Sequence, residues 1–514
     1  MSSTSGRSGG VALAAVTRLG SLFLGIGFQI LVAKAMMTGE YASYSVALAI
    51  SVVVGTLSGL GIARSLSRFL PLVIAYGAGP DLVRTLAFYL FLKAIGLGII
   101  IGSMLQLGVL DIPTLWSGHS PDQRILIIWI LILSFQLDIE ALAQALKAYR
   151  AWAVTAFLEV ASRSCICLFI AGFGRLHPDD VMFVWGSTSA AQIFIVILIL
   201  FIKNKNSVRA DFNPADRSLI PSFGQQLKFS ISIYISALSW LAASPFSVRL
   251  VSATGLPPAP LAAISFVQAL ASSALRGLPV HLLSPIVEPL LVGKIIVNGD
   301  RPAAETTLSV LIKLETIIVM GAIVVAAPLG PLLITTLGKP DFAPYGFILP
   351  ILLVQSLGTS YFRAAEILGS ILQVHVTFVA MLPISLLSLV LVYLTSSSLG
   401  PAALLIWPCA DTAAKLAIMI YALRARGAAK IFDVARLNVV IAPAIILILA
   451  TEALIWRFGL DEFGRICLSL LAGVTFMLTL LLSRPFRRQE HQLIDGFSPR
   501  NTVKVGNMVG LLAK

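Results

Sequence analysis

Residues 11–35 read VALAAVTRLGSLFLGIGFQILVAKA. Wound as an α-helix at 1.5 Å per residue, about 20 apolar residues cross the ~30 Å hydrocarbon core of a bilayer, and this run is long enough to do so. It is too long for the apolar region of a secretory leader and lacks a convincing small-x-small cleavage site. It is therefore read as a first membrane span, preceded by a short polar tail at 1–10.

Runs of the same kind recur through almost all of the 514 residues. The chain is 58% hydrophobic and 12% charged, with a mean hydropathy of +0.94. A typical soluble domain carries roughly 25% charged residues, so lipid must be the main solvent here. Backbone N–H and C=O groups in hydrocarbon need partners within the structure, which leaves helices or a closed barrel. Runs of this length without period-2 alternation exclude the barrel, and the expected fold is all-α.

Apolar windows and their polar breaks predict about fourteen helices, near 11–35, 41–63, 82–108, 125–146, 152–173, 181–202, 226–249, 260–283, 305–327, 345–368, 371–395, 401–423, 436–456 and 464–483. One alternate set of loops is basic, with Arg64, Arg68, Lys147, Arg150, Lys203, Lys205, Arg209, Arg217, Arg424, Arg426, Lys430, Arg436, Arg484, Arg487 and Arg488. The opposite set is poor in Lys and Arg and contains Asp111, Asp122, Asp179 and Asp180. The positive-inside rule makes the basic set cytoplasmic and places both termini in the cytoplasm. The net charge of +13 is then accounted for by topology and anionic membrane lipid, and nucleic acid is not an expected partner.

The longest basic connector, 203–225, separates an N-lobe of helices one to six (11–202) from a C-lobe of helices seven to twelve (226–425). An offset of 218 positions sets Gly59 against Gly277 and Pro71 against Pro289. Six spans per lobe give both the same orientation, so such a repeat is related by an axis along the membrane normal, with a central cavity between lobes. Two further helices (426–483) and a basic tail (484–514) complete the expected plan. The four cysteines, Cys165, Cys167, Cys409 and Cys467, fall inside apolar runs and read as small core residues, not disulfides or metal ligands. The five histidines are scattered, and no zinc-protease or Walker motif occurs, so neither metal nor nucleotide cofactor is expected.

Ionisable groups inside spans cost about 2.5–3.5 kcal/mol each on insertion scales. Glu159 with Arg163, Arg363 with Glu366, and Asp411 with Lys415 stand three or four positions apart and can neutralise each other on one helix face. Lys313 and Glu315 point to different faces and need partners elsewhere. Lys93, roughly 15 Å into its helix, has no acid within a turn. On helix one, Arg18, Gly25 and Gln29 fall within about 40° of arc; on helix eight, Ser265, Gln268, Ser272 and Arg276 share about 80°. Asp138 and Glu140 on helix four are candidates for ion coupling, or else neutralise Lys147 or Arg150. Gly55 with Gly59, and Gly98 with Gly102, fit close helix packing.

The opening hairpin, LVAKAMMTGEYASYSVALAISVVVGTLSGLGIARSLSRFLP at 31–71, carries Ala33-Lys34, Gly39-Glu40-Tyr41, Gly59-Leu60-Gly61 and Arg68-Phe69-Leu70-Pro71. With QALKAYRAW (144–152) and SSLGPAALLI (397–406) it resembles the polysaccharide flippase branch of the multidrug/oligosaccharidyl-lipid/polysaccharide exporter (MOP) superfamily. The proline-rich turn Leu256-Pro257-Pro258-Ala259-Pro260 departs from that pattern. The resemblance implies a bacterial inner-membrane transporter, not an enzyme. It would move a polyprenyl-diphosphate-linked oligosaccharide for O-antigen, capsule or exopolysaccharide assembly, beside a polymerase and chain-length machinery. It also implies that helices one and eight border the central cavity, so that Arg18 and Arg276 clamp the diphosphate with Gln29, Lys93, Gln268 and Ser272 alongside. Guanidinium suits this role because its fork of donors matches phosphate oxygens and its charge survives burial. Snorkelling of both arginines to the interface is the bland alternative. A drug antiporter of the same superfamily, expected to have an acidic cavity, and a membrane glycosyltransferase or ligase, which needs an outward-facing catalytic carboxylate, are the rival functions.

Overall fold

A computed structural model describes residues 5–62, 65–66, 69–70, 73, 79–111, 122–146, 148–204, 222–282, 301–372, 375–428, 431–483, 485–487 and 490. The described residues form fifteen α-helices and two short 3-10 turns, with no strand among them. In chain order these are α1 Ser5–Ala35, α2 Thr38–Leu57, α3 Gly79–Gln106, α4 Gln123–Ala145, α5 Tyr149–Phe173, α6 Pro178–Asn204, α7 Phe223–Ala242, α8 Pro245–Ser252, α9 Pro258–Gly277, α10 Arg301–Leu337, α11 Ile348–Ile371, α12 His375–Leu399, α13 Ala403–Ala425, α14 Val434–Phe458 and α15 Glu462–Ser483. The fourteen expected spans each find a long helix, and the seventh is broken. Ten stretches are long and apolar enough to cross a membrane, or eleven with the bent α7–α8 pair counted; one of the ten runs from Val379 to Ala425 through both α12 and α13.

Local chemistry explains the boundaries. A capping box starts α7: Ser222 Oγ accepts from Gln225 N–H at 3.4 Å, and Gln225 Oε1 accepts from Ser222 N–H at 3.0 Å. The 54° bend between α7 and α8 falls where Pro245 removes a backbone donor and Ser244 restarts the helix, its hydroxyl accepting from Ser247 N–H at 3.2 Å. At the end of α14, Gly459 takes φ +58°, a left-handed cap open to glycine without steric cost.

The chain divides into two compact units, 1–265 with 385–404 and 266–384 with 405–514. In the first, α2 is almost wholly enclosed and packs on α4 and α8, while α1 lies on α5 and α6 lies on α4 and α5. In the second, the 37-residue α10 is the central post, with α11, α14 and α15 around it. Leu278, Val319, Met320, Ile323, Val324, Leu357, Val440, Ala444, Ala472, Phe476 and Leu480 form its core. At 1.5 Å per residue α10 is about 55 Å long, more than the hydrocarbon requires, so part of it projects beyond the apolar layer. The outer faces stay apolar: Trp456 is 89% exposed and Leu482 85%. Surfaces of that kind are stable against lipid tails, not water.

Two packing expectations need correction. Gly98 and Gly102 face open space, with nothing within 4 Å of an added Cβ, whereas Gly55 does abut Ser134 on α4. Cys165 and Cys467 are exposed on helix surfaces; Cys167 alone is fully buried and Cys409 is intermediate. A thiol is small and weakly polar enough to face lipid or core equally. All four are free.

Candidate functional site

In the first unit the buried charges are matched locally. Lys93 of α3, 1% exposed, reaches Asp138 of α4 at 3.1 Å and donates to the Gly55 carbonyl of α2 at 3.3 Å. The partner of Asp138 is therefore Lys93, and two of the proposed site residues occupy one buried pair. Glu140, two positions further along α4, is half-buried. The side chains of Arg18 and Arg150, and residue Lys147, lie outside the described residues. Gln29 of α1 is half-buried, and the Gly25 face beside it meets nothing within 4 Å.

The Glu159–Arg163 pair forms as its spacing predicts, at 3.2 Å. Thr188 and Ser189 of α6 donate to Glu159 at 3.3 and 3.5 Å. Arg163 also lies 4.0 Å over the Trp185 ring and 4.5 Å over Phe28, so its charge is held by a carboxylate and two π-faces together. Arg249 of α8 is buried and donates to the Ser45 carbonyl at 3.1 Å. At the α1–α2 turn, Glu40 accepts from Met37 N–H at 2.8 Å and meets His177 Nδ1 at 2.9 Å.

In the second unit, Gln268 on α9 is buried, Ser272 is half-buried and Arg276 is exposed. The polar stripe thus runs from interior to surface and ends on a guanidinium. Just past it, half-buried His281 lies within electrostatic range of Arg276 and of Arg363 and Glu366 on α11. Arg363 meets Glu366 at 2.6 Å, one quarter exposed. His281 is thus flanked by guanidiniums from two elements, Arg276 of α9 and Arg363 of α11. The sequence spacing explained Arg363 only as Glu366's partner; its approach to His281 is a tertiary fact that no local pattern encodes.

Lys313 of α10 takes two carboxylates. Its Nζ lies 2.8 Å from Glu490 Oε1 and 3.2 Å from Asp433 Oδ2, at the start of α14. Arg487 closes the cluster, 2.8 Å from Asp433. Burial works against ionisation of Asp433, but the hydrogen bond and charge of Lys313, joined by Arg487, outweigh it and hold the carboxyl below its usual range. Asp411 and Lys415 pair at 2.8 Å on α13. Among the described residues no group of three or more His, Cys, Asp or Glu side chains is arranged to hold a metal ion.

No protein-family model and no curated protein matches the sequence. Solved structures do match the fold. The lipid II flippase MurJ in an inward closed conformation superposes with a TM-score of 0.61 at 13% identity, covering 90% of this chain and 98% of that one. An inward-facing multidrug resistance MATE family transporter of the MOP superfamily gives 0.59 at 14%, covering 82% and 99%. A MOP superfamily transporter from Pyrococcus furiosus, described as having a binding pocket of reverse polarity, gives 0.51 at 14%, covering 82% and 96%. At these identities the likeness shows the fold, and it is the fold of MOP-superfamily transporters.

Proposed function

We propose that this chain, built on the fold shared by MurJ and the MATE transporters, is a flippase for a polyprenyl-diphosphate-linked oligosaccharide. It acts by alternating access in a bacterial cytoplasmic membrane with both termini inside, and it breaks no bond in its substrate. The observation that carries the reading is the α9 face: Gln268 and Ser272 lead to an exposed Arg276, on the side of the helix end where His281 lies within electrostatic range of it. The Arg276 guanidinium suits a phosphate of the diphosphate, and the hydroxyl and amide groups suit a glycan. Arg18 and Gln29 of α1 are the further head-group contacts that the sequence resemblance implies, and the apolar tail of the substrate stays in lipid while its head group crosses. O-antigen, capsule or exopolysaccharide assembly, with a polymerase downstream, is the setting this substrate class fits.

The MATE likeness supports a drug antiporter as the second reading. A cationic drug needs a carboxylate free to receive it. Asp138, Glu159, Glu366 and Asp411 are each held by a cation of this chain, and Glu315, which has no such partner among the described residues, is 0% exposed, which favours the anionic substrate.

The test is glycan export in cells. Arg18→Ala and Arg276→Ala should each abolish export, with the protein still present in the membrane at normal abundance. Normal export in both variants removes the diphosphate clamp.

A further inference from the structure

Seven acidic side chains among the described residues are buried: Glu40, Glu159, Glu305, Glu315, Glu366, Asp411 and Glu490. Six have a basic partner, respectively His177, Arg163, Arg301, Arg363, Lys415 and Lys313. Glu315, on α10 and 0% exposed, has none among the described residues. Its Oε2 accepts from the backbone N–H of Val280 at 2.9 Å. Its Oε1 is enclosed and has no hydrogen-bond partner. The enclosed Ser360 hydroxyl of α11 lies beside the carboxyl, close enough to interact with it but short of full hydrogen-bond geometry.

The other charged groups around it are engaged elsewhere. On α10, Lys313 is bound by Glu490 and Asp433, and Thr316 bonds the Tyr361 hydroxyl of α11 at 2.6 Å. On α11, Arg363 is bound by Glu366. Past α9, His281 lies near Arg276, Arg363 and Glu366. On α14, Asp433 and Arg436 stand at its start and Glu452 faces Arg465 of α15, where Glu462 is the remaining acid. None of these forms an ion pair with Glu315.

A carboxylate taken out of water with no counter-ion is expensive, and such a group neutralises instead by taking a proton. One backbone donor does not replace a cation, and it leaves the second oxygen bare. The Ser360 hydroxyl can donate to the ionised oxygen but brings no charge to balance it; protonation removes the charge and leaves the carboxyl O–H free to donate to Ser360 Oγ instead. A metal ion is the poorer fit, because hard cations take about six or more oxygens and only one carboxyl oxygen and one hydroxyl are offered here.

We propose that Glu315 is a proton-binding site. It holds a proton while Val280 N–H occupies its other oxygen, and it exchanges that proton when the joint after α9 opens. Helix α9 ends at Gly277 and a new helical turn begins at Pro279, so Val280 N–H is a first-turn donor that Glu315 caps from another helix. Movement at this joint uncovers the carboxyl and lets the proton leave to water. As part of a transport cycle this rests on the transporter reading; as a proton site it does not depend on the glycan.

The test uses no glycan. The full-length chain, with glutamate side chains carrying ¹³C at the carboxyl, is placed in phosphatidylethanolamine/phosphatidylglycerol vesicles and followed by infrared difference spectroscopy through pH steps about neutrality. The expected result is an isotope-shifted carboxylic C=O band that disappears as pH rises. It should be lost in Glu315→Gln, whose amide oxygen still accepts from Val280, and unchanged in Glu366→Gln. If Glu315→Gln does not fold, Glu315→Asp serves, because the unlabelled aspartate must remove the isotope shift. Absence of the band from the wild-type chain overturns the proposal. So does a band that does not titrate, one that survives in either folded variant, or one displaced by sodium at constant pH. Failure of glycan export with the band intact would refute the flippase reading alone.

Discussion

Replacing Asp138 with Asn strands the Lys93 ammonium on α3. In the folded chain this charge is 1% exposed and held by Asp138 at 3.1 Å, with only the Gly55 carbonyl as a second partner. Removing one member of a buried ion pair leaves an uncompensated charge and costs about 3–5 kcal/mol, whereas exchanging both members for apolar groups of similar volume is about neutral. Asp138→Leu, like Asp138→Asn, and Lys93→Met should therefore each destabilise the protein by about 3 kcal/mol or more, and Lys93→Met/Asp138→Leu, which closes the cycle with the Leu and Met variants, by about 1 kcal/mol or less. The interaction energy of that cycle is then about 5 kcal/mol or more, above the roughly 0.5–3 kcal/mol usual for groups in direct contact, because each single variant strands a charge out of water. Chemical denaturation of the purified protein in one detergent, followed by tryptophan fluorescence, measures all four corners. The double variant also separates roles: if the pair is scaffold, glycan translocation survives in it. Single variants within about 0.5 kcal/mol of wild type would refute the reasoning, since that is the range of substitutions that break nothing.

Two predictions concern the second unit and the contrast between glycines. Because the Asp433 carboxyl is held below its usual range by Lys313 and Arg487, its contribution is complete above the unfolded-state value near pH 3.9 and is lost as pH falls through the lower folded value; protease cleavage after Arg487 should accelerate only in acid below that range, and Asp433→Asn should give the acid behaviour at neutral pH. Gly346 abuts the backbone of Gly330 and Pro331 so closely that a Cβ has no room, so Gly346→Ala should cost about 1–3 kcal/mol in thermal unfolding, while Gly98→Ala, facing open space, should be neutral or stabilise by at most about 1 kcal/mol.

Much of the fold was legible because lipid imposes one rule on every span. An apolar stretch must be about 20 residues long and must satisfy its own backbone, so length and composition fix the number and type of elements. The predicted first and last spans, 11–35 and 464–483, meet α1 at Ser5–Ala35 and α15 at Glu462–Ser483. Pairs within a helix were equally legible, since three- and four-residue spacing alone brings Glu159 to Arg163 and Asp411 to Lys415. Contacts between helices were not. Lys93 finds Asp138, Lys313 finds Glu490, and Glu315 finds the Val280 amide. Each depends on which face of one helix meets which face of another, and a period of 3.6 does not encode that choice. For the same reason Gly98-Gly102 matched a packing motif yet meets nothing, and the approach of Arg276 and Arg363 to His281 had no signal in the sequence. At the candidate site the residue types were readable and the company they keep was not.

The most direct measurement of the central claim uses the purified chain in liposomes carrying a fluorescent polyprenyl-diphosphate oligosaccharide, with an impermeant reagent that reaches only head groups in the outer leaflet. The protein should speed exchange between leaflets over empty liposomes and return the substrate chemically unchanged. Arg276→Ala should slow that exchange by about 10- to 100-fold, the range expected for losing a charged hydrogen bond worth about 1.5–3 kcal/mol. Exchange no faster than in empty liposomes, with the same preparation transporting an organic cation instead, would contradict the account.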